Sequence, residues 1–407
     1  MEQFSKKWFK SDQFLTEDTG IKVSDLLGLI STSEFFNDIY NLLDIEAIVD
    51  DFIKIKGATT LVATIKELDK KFEKIDLVSD FQDITLFSNG ELTLNFNNLE
   101  GVDYFKEMGY DSIIAHPIHS ARRDFFSGLY NMDKYASRLI ANGYKHILTE
   151  NMRLLSEVTE NRRKYRLLHD TGENKFYLRG IISTDHYNDY NNSIAVVVGL
   201  LTLHREMLDT GTKYDLSLCE YNESAIRMFF DSSEMTELEG IGVVKNIVEI
   251  ANDEIKRESL KFLGVCSINY KNKDNIEREL IVAPKEVKTK ILSISHNQSP
   301  NTAMKKLSEI KNANDIHKEV FDDIARIRAI KKPEQIKFLI KRKVEGARRD
   351  ELSKYKDAFL GVLSVKIENV IQLLEIFNKF NLIVDEDIEA KEFLRYLLYE
   401  TIVANKK

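Results

Sequence analysis

The stretch from Ile194 to Leu208, IAVVVGLLTLHREML, is apolar on almost every side of a helix. A helix of that kind is stable in water only when other elements enclose it. The chain must therefore build packing surfaces around its own middle. Asp209, Thr210 and Gly211 mark where the helix stops. Asn192 or Ser193 is the expected cap, because a short side-chain oxygen there can accept from a first-turn amide that has no partner in the helix. The longest apolar run, Ile194 to Leu201, falls far short of the roughly 20 residues that span a bilayer, so the helix belongs to a core.

A length of 407 residues allows two or three cores. With 43% apolar and 30% charged residues, the composition suits a folded chain. Only 4 prolines and 17 glycines interrupt it, and helix is expected to exceed strand. Ser24 to Tyr40 repeats apolar residues at helical spacing, whereas GATTLVATIKELDKKF fits a strand or a helix. In DITLFSNGELTLNF, residues 83–96, two alternating runs flank Asn89-Gly90, the pair that a tight hairpin turn prefers because both positions need positive φ.

Met132 to His169 reads as helical and Phe176 to Ile182 as a strand. Five extended runs follow between residues 213 and 295, and from about Pro300 the pattern is helical, broken at Pro333 and around Asp385 to Asp387. The expected fold class is α+β, with a central mixed or antiparallel sheet, buried helices and a helical C-terminal region. The expected division is an N-terminal α+β region over 1–112, a core over 113–298 and a helical region over 299–407.

Little in the sequence points to chemistry. Cys219 and Cys266 stand far apart, without the pairing of a disulfide framework or a thiolate zinc site, which fits a reducing cytoplasm. The first residues lack the apolar segment of a secretory signal, so a soluble protein without membrane contact is expected. Asp185, His186 and Asp189 could supply a base with an acid partner, or metal ligands. Loops use the same residue types to bond nearby backbone amides, and no second element completes a site, so this knot is read as a turn and cap.

His116 and His119 have a zinc-like spacing, but Pro117 lies between them and no third ligand is evident. Glu249, Asp253, Glu254 and Glu258 form an acidic run that could bind magnesium together with Asp185, and a solvated turn explains it equally well. A phosphate loop, a dinucleotide fingerprint and a nucleophile elbow are all missing. No catalytic residue, metal ligand or cofactor is assigned, and the reading leans away from an enzyme.

The net charge of −8 disfavours a chain that coats nucleic acid with its whole surface, so the distribution of cations matters more than their sum. Between Arg326 and Lys354 eleven Lys or Arg face four acids. On a helix starting near Pro333, Ile336, Ile340, Val344 and Ala347 form the buried stripe. Lys337, Lys341, Arg348 and Arg349 then lie on an outward flank that could track phosphates. A second patch consists of Arg162, Arg163, Lys164 and Arg166, with Arg179 on the next strand and Tyr187 and Tyr190 available for base stacking. A solvated helix face is the plain alternative.

The order of these segments resembles the phage and plasmid proteins grouped as domain of unknown function 932. Leu178, Arg179 and Gly180 match that family's Leu-Arg-Ala strand, and Ser183, Asp185, Tyr187, Tyr190 and Asn191 follow its Ser-Asp-Arg-Tyr and Asp-Asn pattern. His186 stands where the family has Arg. Asn252, Asp253 and Glu254 stand at its Asn-Ser-Glu turn, and Cys266 stands at its Cys. The resemblance covers roughly residues 135 to 345 and implies a mobile-element origin and a bacterial host's cytoplasm, with no mechanism attached.

The leading expectation is non-enzymatic binding of single-stranded nucleic acid as an accessory to recombination or replication, which requires both basic patches to share one face. One alternative is a module that binds a host or phage protein in counter-defence or assembly. The other is a metal-dependent nuclease built on Asp185, His186 and Asp189. A homo-oligomer is compatible with each.

Overall fold

The computed structural model describes residues 7–15, 17–88, 92–158, 161–184, 187–255, 260–284, 290–296, 298, 302, 305, 313–346, 350–385 and 387–403. Helix exceeds strand, at 45% against 29%, and the class is α+β.

The chain opens with β1 (Lys7–Lys10), β2 (Ile21–Lys22), α1 (Val23–Leu27), α2 (Phe36–Leu42), β3 (Phe52–Ile53) and α3 (Ala58–Lys71). The segment that fitted strand or helix is thus helix α3, with Ala58, Leu61, Val62 and Ile65 on its buried side. The helical pattern over Ser24 to Tyr40 is divided between α1 and α2 by a turn.

The first sheet is assembled from β4 (Phe72–Asp80), β5 (Ile84–Ser88), β6 (Leu92–Phe96), β7 (Ile113–Pro117), β8 (Arg162–Asp170) and β9 (Lys175–Ile182), in the order β4-β8-β9-β7-β6-β5. It is mixed, because β7 and β9 run parallel while the other pairs are antiparallel. Ser88 pairs with Leu92, so β5 and β6 form the expected hairpin, although Asn89 and Gly90 lie outside the described residues. Helices α4 (Asp103–Met108), α5 (Ala121–Tyr130), α6 (Asp133–Ala141) and α7 (Lys145–Val158) are inserted between its strands.

The helical expectation for Met132 to His169 holds only as far as α7. From Arg162 the chain is strand β8, paired residue for residue with β4 from Asp80↔Arg162 to Phe72↔Asp170. The physical reason is a change of period: Tyr165 and Leu167 alternate into the first sheet's core beside Leu77 and Phe96.

After β9 comes the apolar helix α8 (Asn192–Thr210). The second sheet then follows as β10 (Tyr214–Tyr221), β11 (Ala225–Leu238), β12 (Gly242–Asp253), β13 (Leu260–Lys271), β14 (Glu277–Val282) and β15 (Lys290–Ile294). Its order is β1-β10-β11-β12-β13-β14, with β15 also on β13, and every pair is antiparallel. The C-terminal helices are α9 (Ala313–Ala325), α10 (Pro333–Glu345), α11 (Asp350–Ser353), α12 (Lys356–Val362), α13 (Val370–Val384) and α14 (Ile388–Leu398). Pro333 begins α10, and Asp387 caps α14 by accepting from the Ala390 amide at 3.1 Å, so both expected breaks are helix starts.

Every residue from Asn192 to His204 is buried, between α1 and α3 on one side and the second sheet on the other. The cap is Asn191, one residue earlier than expected, whose Oδ1 accepts from the Ile194 amide at 2.9 Å. Gly199 lets the helix approach the sheet, because a Cβ there would stand 2.9 Å from Ile250 Cδ1. The sheet's other face packs on the C-terminal helices through residues such as Ile268, Tyr270, Phe377 and Phe380.

These cores cut the chain differently from the expected division. The first sheet is drawn from residues on both sides of 112, and β1 joins the second sheet, so no boundary falls at 112. Leu200, fully buried, provides a test of the enclosure. Leu200→Ala is expected to lower unfolding free energy by about 3 kcal/mol, read from urea midpoints at constant slope.

Candidate functional site

The expected ligand-binding residues after β9 lie where the two sheets meet. Lys74 and Asp76 are alternate residues of β4, and Arg166 on β8 stands opposite Asp76. A register shift in β8–β9 sets both Arg179 and Gly180 against Arg166, which turns the Arg179 side chain toward the same junction. From the other sheet, Glu254 follows β12 directly, and its amide donates to the Ser224 carbonyl in the β10–β11 turn at 2.8 Å.

Glu254 is fully buried and holds the junction together. Its Oε1 accepts from Lys74 Nζ at 2.6 Å and from the Asn192 amide at the start of α8 at 2.9 Å. Its Oε2 accepts from Arg179 Nη1 at 2.7 Å. Its carbonyl oxygen accepts from Arg166 Nη1 and the Tyr187 hydroxyl. Burial alone would raise the carboxyl's pKa, but Lys74, Arg179 and Arg166 overcome it and hold the group down at about 2. Burial likewise opposes the charged forms of Lys74 and Arg166, and the carboxylates around them outweigh it and push both upward: Glu254 and Asp69 for Lys74, Asp189 and Asp76 for Arg166.

The loop between β9 and α8 is a clamp. Asp189 accepts from Arg166 Nη2 at 2.7 Å, and Asn188 Nδ2 donates to the Gln298 carbonyl at 2.8 Å. Tyr187 stacks on His296 with centroids 4.7 Å apart and an angle of 5°, and the Tyr190 hydroxyl donates to the Gln298 carbonyl at 2.7 Å. His296 faces two carbonyl oxygens, Asn188 at Nδ1 (3.0 Å) and Asp253 at Nε2 (3.1 Å). Asp185 and His186 lie outside the described residues.

His119, in the β7–α5 loop with φ of 50°, points Nε2 at Glu223, a buried carboxylate that also accepts from Ser224 Oγ at 3.1 Å. Burial would raise the pKa of Glu223, but the bond from His119 and its charge hold it below the usual carboxylate range. His116 sits apart, beside the Tyr177 ring. Glu249 and Glu254 are five residues apart and so lie on opposite sides of β12, where Glu249 pairs with Arg227 at 2.9 Å. Glu249 and Glu254 therefore do not converge, and Glu258 lies outside the described residues. Among the described residues no group of three or more His, Cys, Asp or Glu is placed to hold a metal ion.

These positions correct the expectation of one open basic face. Arg166 and Arg179 are buried, because Asp76, Asp189 and Glu254 draw them inward. Tyr190 is buried against Phe35, so its ring offers no platform for a base. Tyr187 has one side of its ring on His296 and the Arg166 guanidinium 5.1 Å from the ring centre. Lys164 approaches Asp76 at 3.8 Å; Arg162 is exposed, and half-buried Arg163 donates to the Arg162 carbonyl at 3.4 Å.

In α10, Ile336, Ile340 and Val344 form the buried stripe as expected. Lys337, expected on the outward flank, is instead buried. The segment before α13 folds back over it, and Nζ donates to the Val365 carbonyl at 2.8 Å and to Glu334 at 2.5 Å. Lys341 is half-buried and stands 3.9 Å from Glu345. Ala347, Arg348 and Arg349 lie outside the described residues. The apolar side of α10 packs with the other C-terminal helices. Lys74, Glu223 and His296 complete the junction, and no local pattern marked them, since Lys74 meets Glu254, Glu223 meets His119 and His296 meets Asp253 across more than forty residues of chain.

No family model, curated protein or solved structure matches this chain.

The electrostatic lock carries a pH signature. Because the Glu254 carboxyl lies below its ordinary value of 4.5, it contributes stability that is present above that pH and is lost as pH falls toward about 2. Glu254→Gln is expected to cost about 3 kcal/mol at pH 7, and the gap to wild type should narrow steadily below pH 4.5. Urea unfolding at a series of pH values measures both; a gap independent of pH would contradict the lock.

Proposed function

We propose that this chain is a non-enzymatic binding protein whose partner is another protein. The supporting observation is an apolar stripe on α6 and α7. Ile147, Leu154 and Val158 recur at helical spacing on one side of α7 and are 38%, 48% and 80% exposed. Tyr144 and Tyr135 extend the stripe, and Asn151 Nδ2 donates to the Tyr135 hydroxyl at 3.1 Å. Among the described residues, exposed large apolar side chains concentrate here. Rows at this spacing, rimmed by ion pairs such as Glu150–Arg153, suit docking of an apolar surface on a protein.

The charge distribution argues in the same direction. A phosphate-tracking groove needs cations whose fields are uncompensated, and Arg166, Arg179, Lys164, Lys337 and Lys341 each have a carboxylate beside them. A mobile-element origin and a bacterial host's cytoplasm belong to this proposal through the motif order at Leu178–Gly180, Asn252–Glu254 and Cys266. The structure bears on location only in that no helix among the described residues is long and apolar enough to cross a membrane.

The test compares wild type with a Leu154→Glu/Val158→Glu variant whose thermal unfolding is unchanged. From host extract, a partner held by wild type is expected to fall about tenfold or more in recovery with the variant. Identical recovery by the two proteins would overturn the reading. So would retention of both on single-stranded DNA that weakens steeply with salt.

A further inference from the structure

The Arg179 guanidinium is completely buried, yet it is bonded along one side only. Nη1 meets Glu254 at 2.7 Å and Ser224 Oγ at 3.4 Å, while Nε and Nη2 have no hydrogen-bond partner. Nε and Nη2 form the forked edge of a guanidinium, spaced to take two oxygens of a carboxylate or phosphate. A second buried donor of the same junction, Asn192 Nδ2, is also without a partner, on the residue whose amide binds Glu254.

Arg166, Arg179 and Lys74 surround a single fully buried carboxylate, Glu254, and the other buried carboxylate, Glu223, is engaged by His119. Asp69, Asp76 and Asp189, which complete the local balance, stand at the partly exposed rim with 41%, 32% and 41% of their side chains accessible. Leaving half of a desolvated guanidinium unbonded is costly, and an oxyanion on the free edge removes that cost.

We propose that the free edge of Arg179 binds a small oxyanion, the phosphate or carboxylate group of a ligand, at the junction of the two sheets. Such a ligand would sit with Lys74 and the start of α8 close by and would tie Arg179 of the first sheet to the Glu223–Glu254 end of the second. This is independent of the apolar stripe on α7 and stands whether or not that surface binds a protein.

The experiment uses the full chain. Inorganic phosphate and, separately, acetate are titrated at constant ionic strength against a chloride control, following the Arg179 Nε–H resonance by ¹⁵N NMR together with the melting temperature. A saturable shift of that resonance and a rise in melting temperature are expected. Response to phosphate alone assigns a tetrahedral anion, and response to acetate alone a planar carboxylate. In Arg179→Lys, which keeps the charge and loses the fork, the affinity should fall about tenfold. A wild-type Nε–H resonance that responds to neither anion beyond chloride overturns the proposal, and so does an affinity unchanged in Arg179→Lys. Because the resonance is read in wild type, the outcome does not depend on the variant folding.

Discussion

One buried carboxylate organises this molecule. Glu254 is met by Lys74 from β4, Arg179 from β9 and the first amide of α8, and its backbone carbonyl is met by Arg166 and Tyr187. Two sheets and the central helix therefore converge on one residue. An isolated ion could not remain charged there, since desolvation would neutralise it. It is the surrounding cations that keep Glu254 ionised, and Glu254 in turn that permits three basic side chains to leave water. Each half of the junction is stable only because the other is present.

That reciprocity bears directly on what the chain can bind. Lys and Arg found as a cluster in a sequence suggest a ligand of opposite charge, but the folded chain supplies much of that opposite charge itself. Arg166 and Arg179 are spent on joining the sheets, and Lys337 is spent on holding the segment before α13. Tyr190, suited in principle to stack on a base, is packed against Phe35 and bonded to Gln298. Among the described residues, the outer side of α7 carries an exposed apolar stripe, and at the junction the fork of Arg179 is without a partner.

Much of the architecture was legible because it depends on local periodicity. The enclosure of α8, the strand through Phe176 to Ile182, the β5–β6 hairpin, five of the six strands after residue 213 and the helix starts at Pro333 and Asp387 all follow from spacing and capping that operate within a few residues. Strand β8 was not legible, because the helical period ends at Val158 and its replacement by alternation in YRLLHD is short; only pairing with β4 decides it. The division into regions failed for a related reason: β1 crosses to β10, a contact over some two hundred residues that no local pattern encodes.

The sequence by itself determined that a wholly apolar helix had to be enclosed by sheet and helix and that the class is α+β. Tertiary structure alone decided which charges are available. Whether a lysine or arginine faces water or a carboxylate depends on partners far away in the chain, as Lys74 and Glu254 show, 180 residues apart and 2.6 Å from one another. Apolar periodicity is a property of neighbours in sequence, whereas electrostatic compensation is a property of neighbours in space.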